Sequence, residues 1–267
     1  MTPSPSAPTF RDLIAFEERS DRVRFLERTF HGIVRGRVLD VGCDVRHLKQ
    51  LRPDLDYIGI DVGGQPDLTI DLEATERLPF GDRDFDLVIC SEVLEHLDAL
   101  HRVFAELVRV SRSKILISLP NCWTAARKPL SRGKGSIGHY GLPLRRPPDR
   151  HKWFFSLTEA RAFCQSMAEQ HGLSVIETRI SEKPRPAVVR FLRHMRHPVA
   201  DRYDNLFAHT YWVVFERKGS CPLRRLGTLP QWPPGRPSRN CWSPRVRGPP
   251  PASAPLLARR PGCPTGR

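Results

Sequence analysis

The chain lacks any run of eighteen apolar residues, so no membrane-spanning helix is expected. Residues 1–22 lack a basic segment followed by an apolar one. That argues against a signal peptide and makes the cytoplasm the expected location. None of the seven cysteines stands at CxxC spacing, and none pairs with a nearby histidine in a zinc pattern. Free thiols are therefore expected, with no metal ligand set. The cysteine count is odd, which excludes a complete disulfide framework. G-x-G-x-x-G is also missing, which weighs against an NAD oxidoreductase.

Acidic residues are missing from one end. After Lys218 there are nine arginines and no Asp or Glu. The formal charge of +14 is therefore mostly a property of that tail, leaving about +5 for residues 1–218. A nucleic-acid binder is suggested by the total and weakened by its distribution. No RNA module or aromatic-basic platform is legible, so no stable nucleic-acid partner is expected. Twelve of the 26 prolines also fall in the tail, without an apolar period. Residues 219–267 read as a disordered Pro/Arg-rich segment, and residues 1–10 as a disordered start.

What remains is a chain that fits one α/β domain over residues 11–218. Apolar groups from Leu13 to Phe30 predict an amphipathic helix over 11–30. Strands and helices then alternate. RVLDV (37–41), YIGID (57–61), LTID (68–71), FDLVIC (85–90) and KILIS (114–118) read as strands. Residues 47–51, 92–110 and 157–172 read as helices, the last capped by Ser156. Residues 173–180 and 206–215 complete the strands, and 181–204 is basic and partly helical. Residues 121–150 have no clear period and read as a long loop on the acceptor side. Near-continuous apolar strands between helices indicate a mostly parallel sheet with helices on both faces.

Polar groups stand at four successive strand ends. They are Asp40 and Gly42, then Asp61, then Asp71 with Leu72, then Ser91 and Glu92. In an open parallel sheet, ligands bind beyond those ends, where strand order reverses. Gly42 permits close backbone approach. The carboxylate of Asp61 suits ribose hydroxyls, and that of Asp71 suits an adenine amino group beside Leu72. Acids also favour a cationic nucleoside over a pyrophosphate, which seeks backbone amides at a helix N-terminus. S-adenosyl-L-methionine is the ligand that fits.

The stretch from VLDVGCD through LPFGDRDFDLVICSEVLEHL to KILISLPN resembles the class I S-adenosylmethionine-dependent methyltransferases, most closely the type 11 methyltransferase domain. The resemblance implies a Rossmann-like seven-stranded sheet with an antiparallel last strand. It also implies cofactor binding by Asp40, Gly42, Asp61, Asp71, Leu72 and Ser91. One departure stands out. The family's first loop reads D-x-G-x-G-x-G, and here Asp44 and Arg46 occupy the second and third glycine positions. Side chains there either crowd the methionine tail or demand a rearranged loop.

The cofactor is already activated, so the enzyme mainly aligns an acceptor, and a hydroxyl acceptor benefits from a base. His96, expected on the helix after the fourth strand, is the first candidate. His139 and His151, in or beside the long loop, follow. Trp153, Phe154 and Phe155 read as core packing. A small-molecule, lipid or glycan acceptor is expected, and no oligomeric state is legible. The alternatives are a non-catalytic nucleotide-binding or regulatory domain, suggested by Asp44 and Arg46, and an RNA methyltransferase.

Overall fold

The computed structural model describes residues 7–142, 144–145 and 150–219. The readings of 1–6 and 220–267 as disordered lie outside the described residues. In chain order the elements are β1 (Thr9–Leu13), α1 (Arg19–Thr29), β2 (Arg37–Val41), α2 (His47–Leu51), β3 (Asp56–Asp61), β4 (Leu68–Thr69) and β5 (Phe85–Ser91). After a 3-10 turn at Leu94–His96 come α3 (Leu100–Val110), β6 (Ser111–Pro120), α4 (Cys122–Arg132) and α5 (Leu157–Gln170). The order ends with β7 (Leu173–Glu182), α6 (Ala187–Arg196), α7 (Ala200–Phe207) and β8 (Ala208–Arg217).

One sheet runs β1-β7-β8-β6-β5-β2-β3-β4. All neighbours are parallel except β8, which is antiparallel to β6 and β7. The mostly parallel sheet and its antiparallel last strand are as expected, but there are eight strands, not seven. The extra one is β1, paired parallel with β7 at the edge. Residues 9–13 were read as disordered start and helix. The apolar groups from Leu13 to Phe30 instead belong to two elements. α1 buries Phe25 and Leu26, and Phe16 packs edge-on to Trp212 from the connection before it.

The sheet has a core on each face. One is filled by α3 and α5 through Phe104, Leu107, Leu157 and Cys164. The other is filled by α1 and α2 around the fully buried Trp212. Ser156 caps α5 as expected, forming a reciprocal capping box with Glu159.

Two predicted elements need correction. The helix over 92–110 is broken. Glu92 has φ +52°, and Leu97 is extended before α3 begins. The helical spacing misled because the turn and α3 send Leu94, Leu97, Leu100 and Val103 into the same core. The loop over 121–150 begins with α4. Its apolar signal is weak because only Cys122 and Ala126 are buried, and Pro129 interrupts the helical pattern. Asn121 caps it by accepting from the Trp123 amide at 3.2 Å, and Gly133 ends it at φ +63°. Trp153 and Phe154 are exposed rather than packed in the core, and Phe155 alone of the three lies against it. Cys43, Cys90, Cys122 and Cys164 are free and buried. The other three cysteines lie outside the described residues.

Candidate functional site

The carboxyl ends of β2, β3 and β5 open into one cavity of about 990 Å³. Asp40, Gly42, Asp61, Asp71, Leu72, Ser91, His96, His139 and His151 all line it. The crevice predicted from the strand ends therefore exists, and it includes the three candidate histidines.

Asp40 ends β2 in a buried position and accepts a hydrogen bond from the Tyr57 hydroxyl at 2.8 Å. Burial raises its pKa to about 6, helped by the nearby Asp61 charge and opposed by the Tyr57 bond. Gly42 follows at φ +79°, and a Cβ there would meet Val93 at 2.2 Å. Only glycine fits this turn. Asp61 ends β3 and gathers three amides. It accepts from Asp44 at 2.8 Å, Val62 at 2.7 Å and Gly63 at 3.2 Å. Asp71 Oδ1 accepts from the Glu73 amide at 2.9 Å and so shapes the turn after β4. Leu72 is buried beside it. Ser91 Oγ lies 2.8 Å from Ser118 Oγ, linking the ends of β5 and β6.

The loop after β2 resolves the glycine departure. Asp44 has φ +52° and Arg46 has φ +58°. Both residues hold a left-handed backbone, which glycine adopts without strain, so the two family glycine positions carry side chains in a conformation that favours glycine. Arg46 points to an ion pair with Asp67 and does not line the cavity. Asp44 does line it, and its carboxylate stands 3.7 Å from Arg19. Left-handed conformations cost non-glycine residues about 1–2 kcal/mol, less for Asp than for Arg.

The three histidines form one cluster in the cavity wall. His96 lies in the 3-10 turn rather than on a helix. Its Nδ1 sits 3.1 Å from the Arg150 carbonyl, and its ring meets His151 edge-on at 4.6 Å. His139, at φ +63°, stacks on His151 at 4.3 Å. Tyr140 Oη is 2.6 Å from the Trp153 carbonyl and 3.1 Å from His151 Nδ1. A carbonyl only accepts, so the phenol donates to Trp153 and receives the Nδ1 proton of His151.

The sequence placed Glu92 at the fourth strand end without a role and gave no sign of Arg22. Glu92 follows Ser91 directly and enters the cavity, where it pairs with Arg22 at 2.8 Å and accepts from Thr210 at 3.2 Å. Burial raises its pKa, and the Arg22 charge works against that. Its position one residue past a strand end was a usable signal. Arg22 carried none, because its role depends on where α1 docks. Arg127, Lys128, Arg150, Lys183, Arg185 and Arg193 add a basic lining; the last three come from the basic stretch legible in the sequence after residue 180, and the first three from the segment read as a loop.

Residues 39–117 match the family model of a methyltransferase domain, type 11. That span runs from β2 into β6 and includes the cavity's acidic side. No protein of curated function matches the chain. Among solved structures, the chain is similar to a SAM-dependent methyltransferase from Archaeoglobus fulgidus. The two are 16% identical with a TM-score of 0.52, covering 76% of this chain and 96% of that one. The magnesium protoporphyrin IX methyltransferase of Synechocystis PCC 6803, solved with bound SAH, is 16% identical with a TM-score of 0.46. It covers 75% of this chain and 84% of its own. The first of these likenesses, at its low identity, speaks for the fold alone.

Proposed function

We propose that this chain, an S-adenosylmethionine-dependent methyltransferase of the class I fold, methylates an anionic small-molecule, lipid or glycan acceptor. The observation that carries the reading is one cavity lined both by carboxylates at three successive strand ends and by three imidazoles. The donor set suits a cationic nucleoside. Gly42, at φ +79°, leaves the first turn free of a Cβ where the methionine tail would approach.

The roles are those that the family resemblance implies for these residues. Asp40 and Gly42 hold the methionine end, Asp61 the ribose, and Asp71 with Leu72 the adenine, with Ser91 alongside. When bound, the cofactor supplies a methyl on sulfur that needs no further activation. The protein's part is to bring the acceptor oxygen into line and to exclude water. As the new C–O bond forms and the S–C bond breaks, the acceptor's proton must leave. His96, His139 and His151 are the groups placed to receive it. The six basic residues at the cavity attract a negatively charged acceptor, whose field adds to its local concentration.

The test is transfer of a labelled methyl from S-adenosylmethionine into extracts split into lipid, glycan and small-molecule fractions. The reading expects label in one fraction, and tenfold less after Lys183→Glu together with Arg185→Glu. Label confined to RNA would reject the acceptor class.

A further inference from the structure

We propose that Glu95, His96 and His151 form a site for one borderline first-row divalent cation, of the class of Zn²⁺ or Co²⁺. Their ligand atoms all lie within 4.8 Å of one another, and Glu95 Oε1 is 3.9 Å from His96 Nε2. Two ligands about 2.1 Å from a shared ion are at most about 4.2 Å apart. A small side-chain adjustment therefore closes the set around an ion.

The hydrogen bonds behind the imidazoles carry the argument further. His96 Nδ1 faces the Arg150 carbonyl at 3.1 Å, so in the neutral ring that nitrogen holds the proton and Nε2 the lone pair. His151 Nδ1 faces Tyr140 Oη at 3.1 Å, and the phenol's own proton goes to the Trp153 carbonyl at 2.6 Å. His151 is thereby set in the same tautomer. Metal-bound histidines are held in just this way, with the distal N–H donated to a carbonyl or another fixed acceptor. Two unrelated partners impose one tautomer on two adjacent rings, which a packing role does not require. Glu95 brings its carboxylate from a fully buried position, where a bound cation offsets the cost of ionising it.

The ligand types choose the metal. Two imidazoles with one carboxylate suit zinc, cobalt, iron or manganese better than magnesium or calcium, which prefer oxygen alone. The sequence reading found no such set because Glu95 and His96 are neighbours while His151 is far along the chain. No short spacing marks the site.

His96 and His151 line the cavity, so the ion would stand on its acceptor side. There it would lower the pKa of a bound acceptor hydroxyl, and His139, which is not among the ligands, would be left to take the proton. The inference deepens the methyl-transfer reading of the same cavity, but its test reads the ion alone.

The test is titration of the chelator-stripped full chain with Zn²⁺ by calorimetry and with Co²⁺ by absorption. One ion should bind per chain, giving visible cobalt bands without thiolate charge transfer, and Mg²⁺ should bind at least 100-fold more weakly. His96→Asn and His151→Asn should each weaken binding at least 100-fold. Tyr140→Phe, which removes the hydroxyl that faces His151 Nδ1, the Trp153 carbonyl and Cys122 Sγ, should weaken it by about 10- to 100-fold. His194→Asn, at an exposed histidine on α6, should change nothing. Circular dichroism establishes which variants are folded, and Tyr140→Phe keeps the test open if a ligand variant is not. No ion uptake, uptake indifferent to Tyr140→Phe and the folded ligand variants, or equal affinity for Mg²⁺ overturns the proposal. Retained binding of S-adenosylmethionine in that outcome leaves the methyl-transfer reading standing.

Discussion

The Asp44 amide donates a 2.8 Å hydrogen bond to Asp61 Oδ2, tying the loop after β2 to the end of β3. One carboxylate thus holds both the turn that follows the first central strand and its own loop, through Val62 and Gly63. Asp61→Asn keeps the shape but places a donor or a weaker acceptor against three amides. Cofactor affinity should fall at least tenfold. Stability should fall by about 1–3 kcal/mol, the worth of hydrogen bonds to a charged acceptor. Denaturant melts and binding titrations on the same variant separate the two effects. An unchanged affinity would remove Asp61 from the site.

Arg46 offers a clean measure of backbone strain. Arg46→Gly and Arg46→Ala both delete the ion pair with Asp67, so their difference isolates the left-handed φ of +58°. The glycine variant should be more stable than the alanine variant by about 1–2 kcal/mol in urea denaturation. Equal stability would mean that the loop adopts another conformation in solution.

Asp40 sets a pH dependence. Its folded pKa of about 6 is above the usual carboxylate value of about 4. A raised folded pKa in an acid means that ionisation opposes folding. The cofactor-free protein therefore loses stability as pH rises from about 4 to about 6, and the loss is complete above that window. Asp40→Asn should abolish this part of the profile. Binding runs the other way, since a cationic ligand favours the ionised carboxylate. Affinity for S-adenosylmethionine should climb as pH passes 6 and flatten above 7, and the Asn variant should show a lower, flatter curve. A wild-type affinity constant from pH 5 to 8 would contradict the assignment.

The sheet was legible because β2, β3, β5 and β6 are short apolar runs ended by polar groups. Such runs have few alternatives to a strand covered on both faces. The acidic half of the cavity followed from the same strand ends. β1 was not legible, because TFRDL has an edge strand's mixed polarity and is ordered only by pairing with β7. α4 was hidden by its small buried residues. The break after Glu92 was hidden because a turn and a helix share one apolar face. His96, His139 and His151 could be named singly, but not seen to touch. Their contact depends on a chain path from α4 to α5 that no local period records.

The central claim is best tested by calorimetric titration of the full chain with S-adenosylmethionine, S-adenosylhomocysteine and NAD at pH 7.5. The account predicts one site for each of the first two and none for NAD, with Asp61→Ala and Asp71→Ala each weakening binding at least tenfold. Absent binding of both sulfur nucleosides, or binding untouched by either substitution, would contradict it.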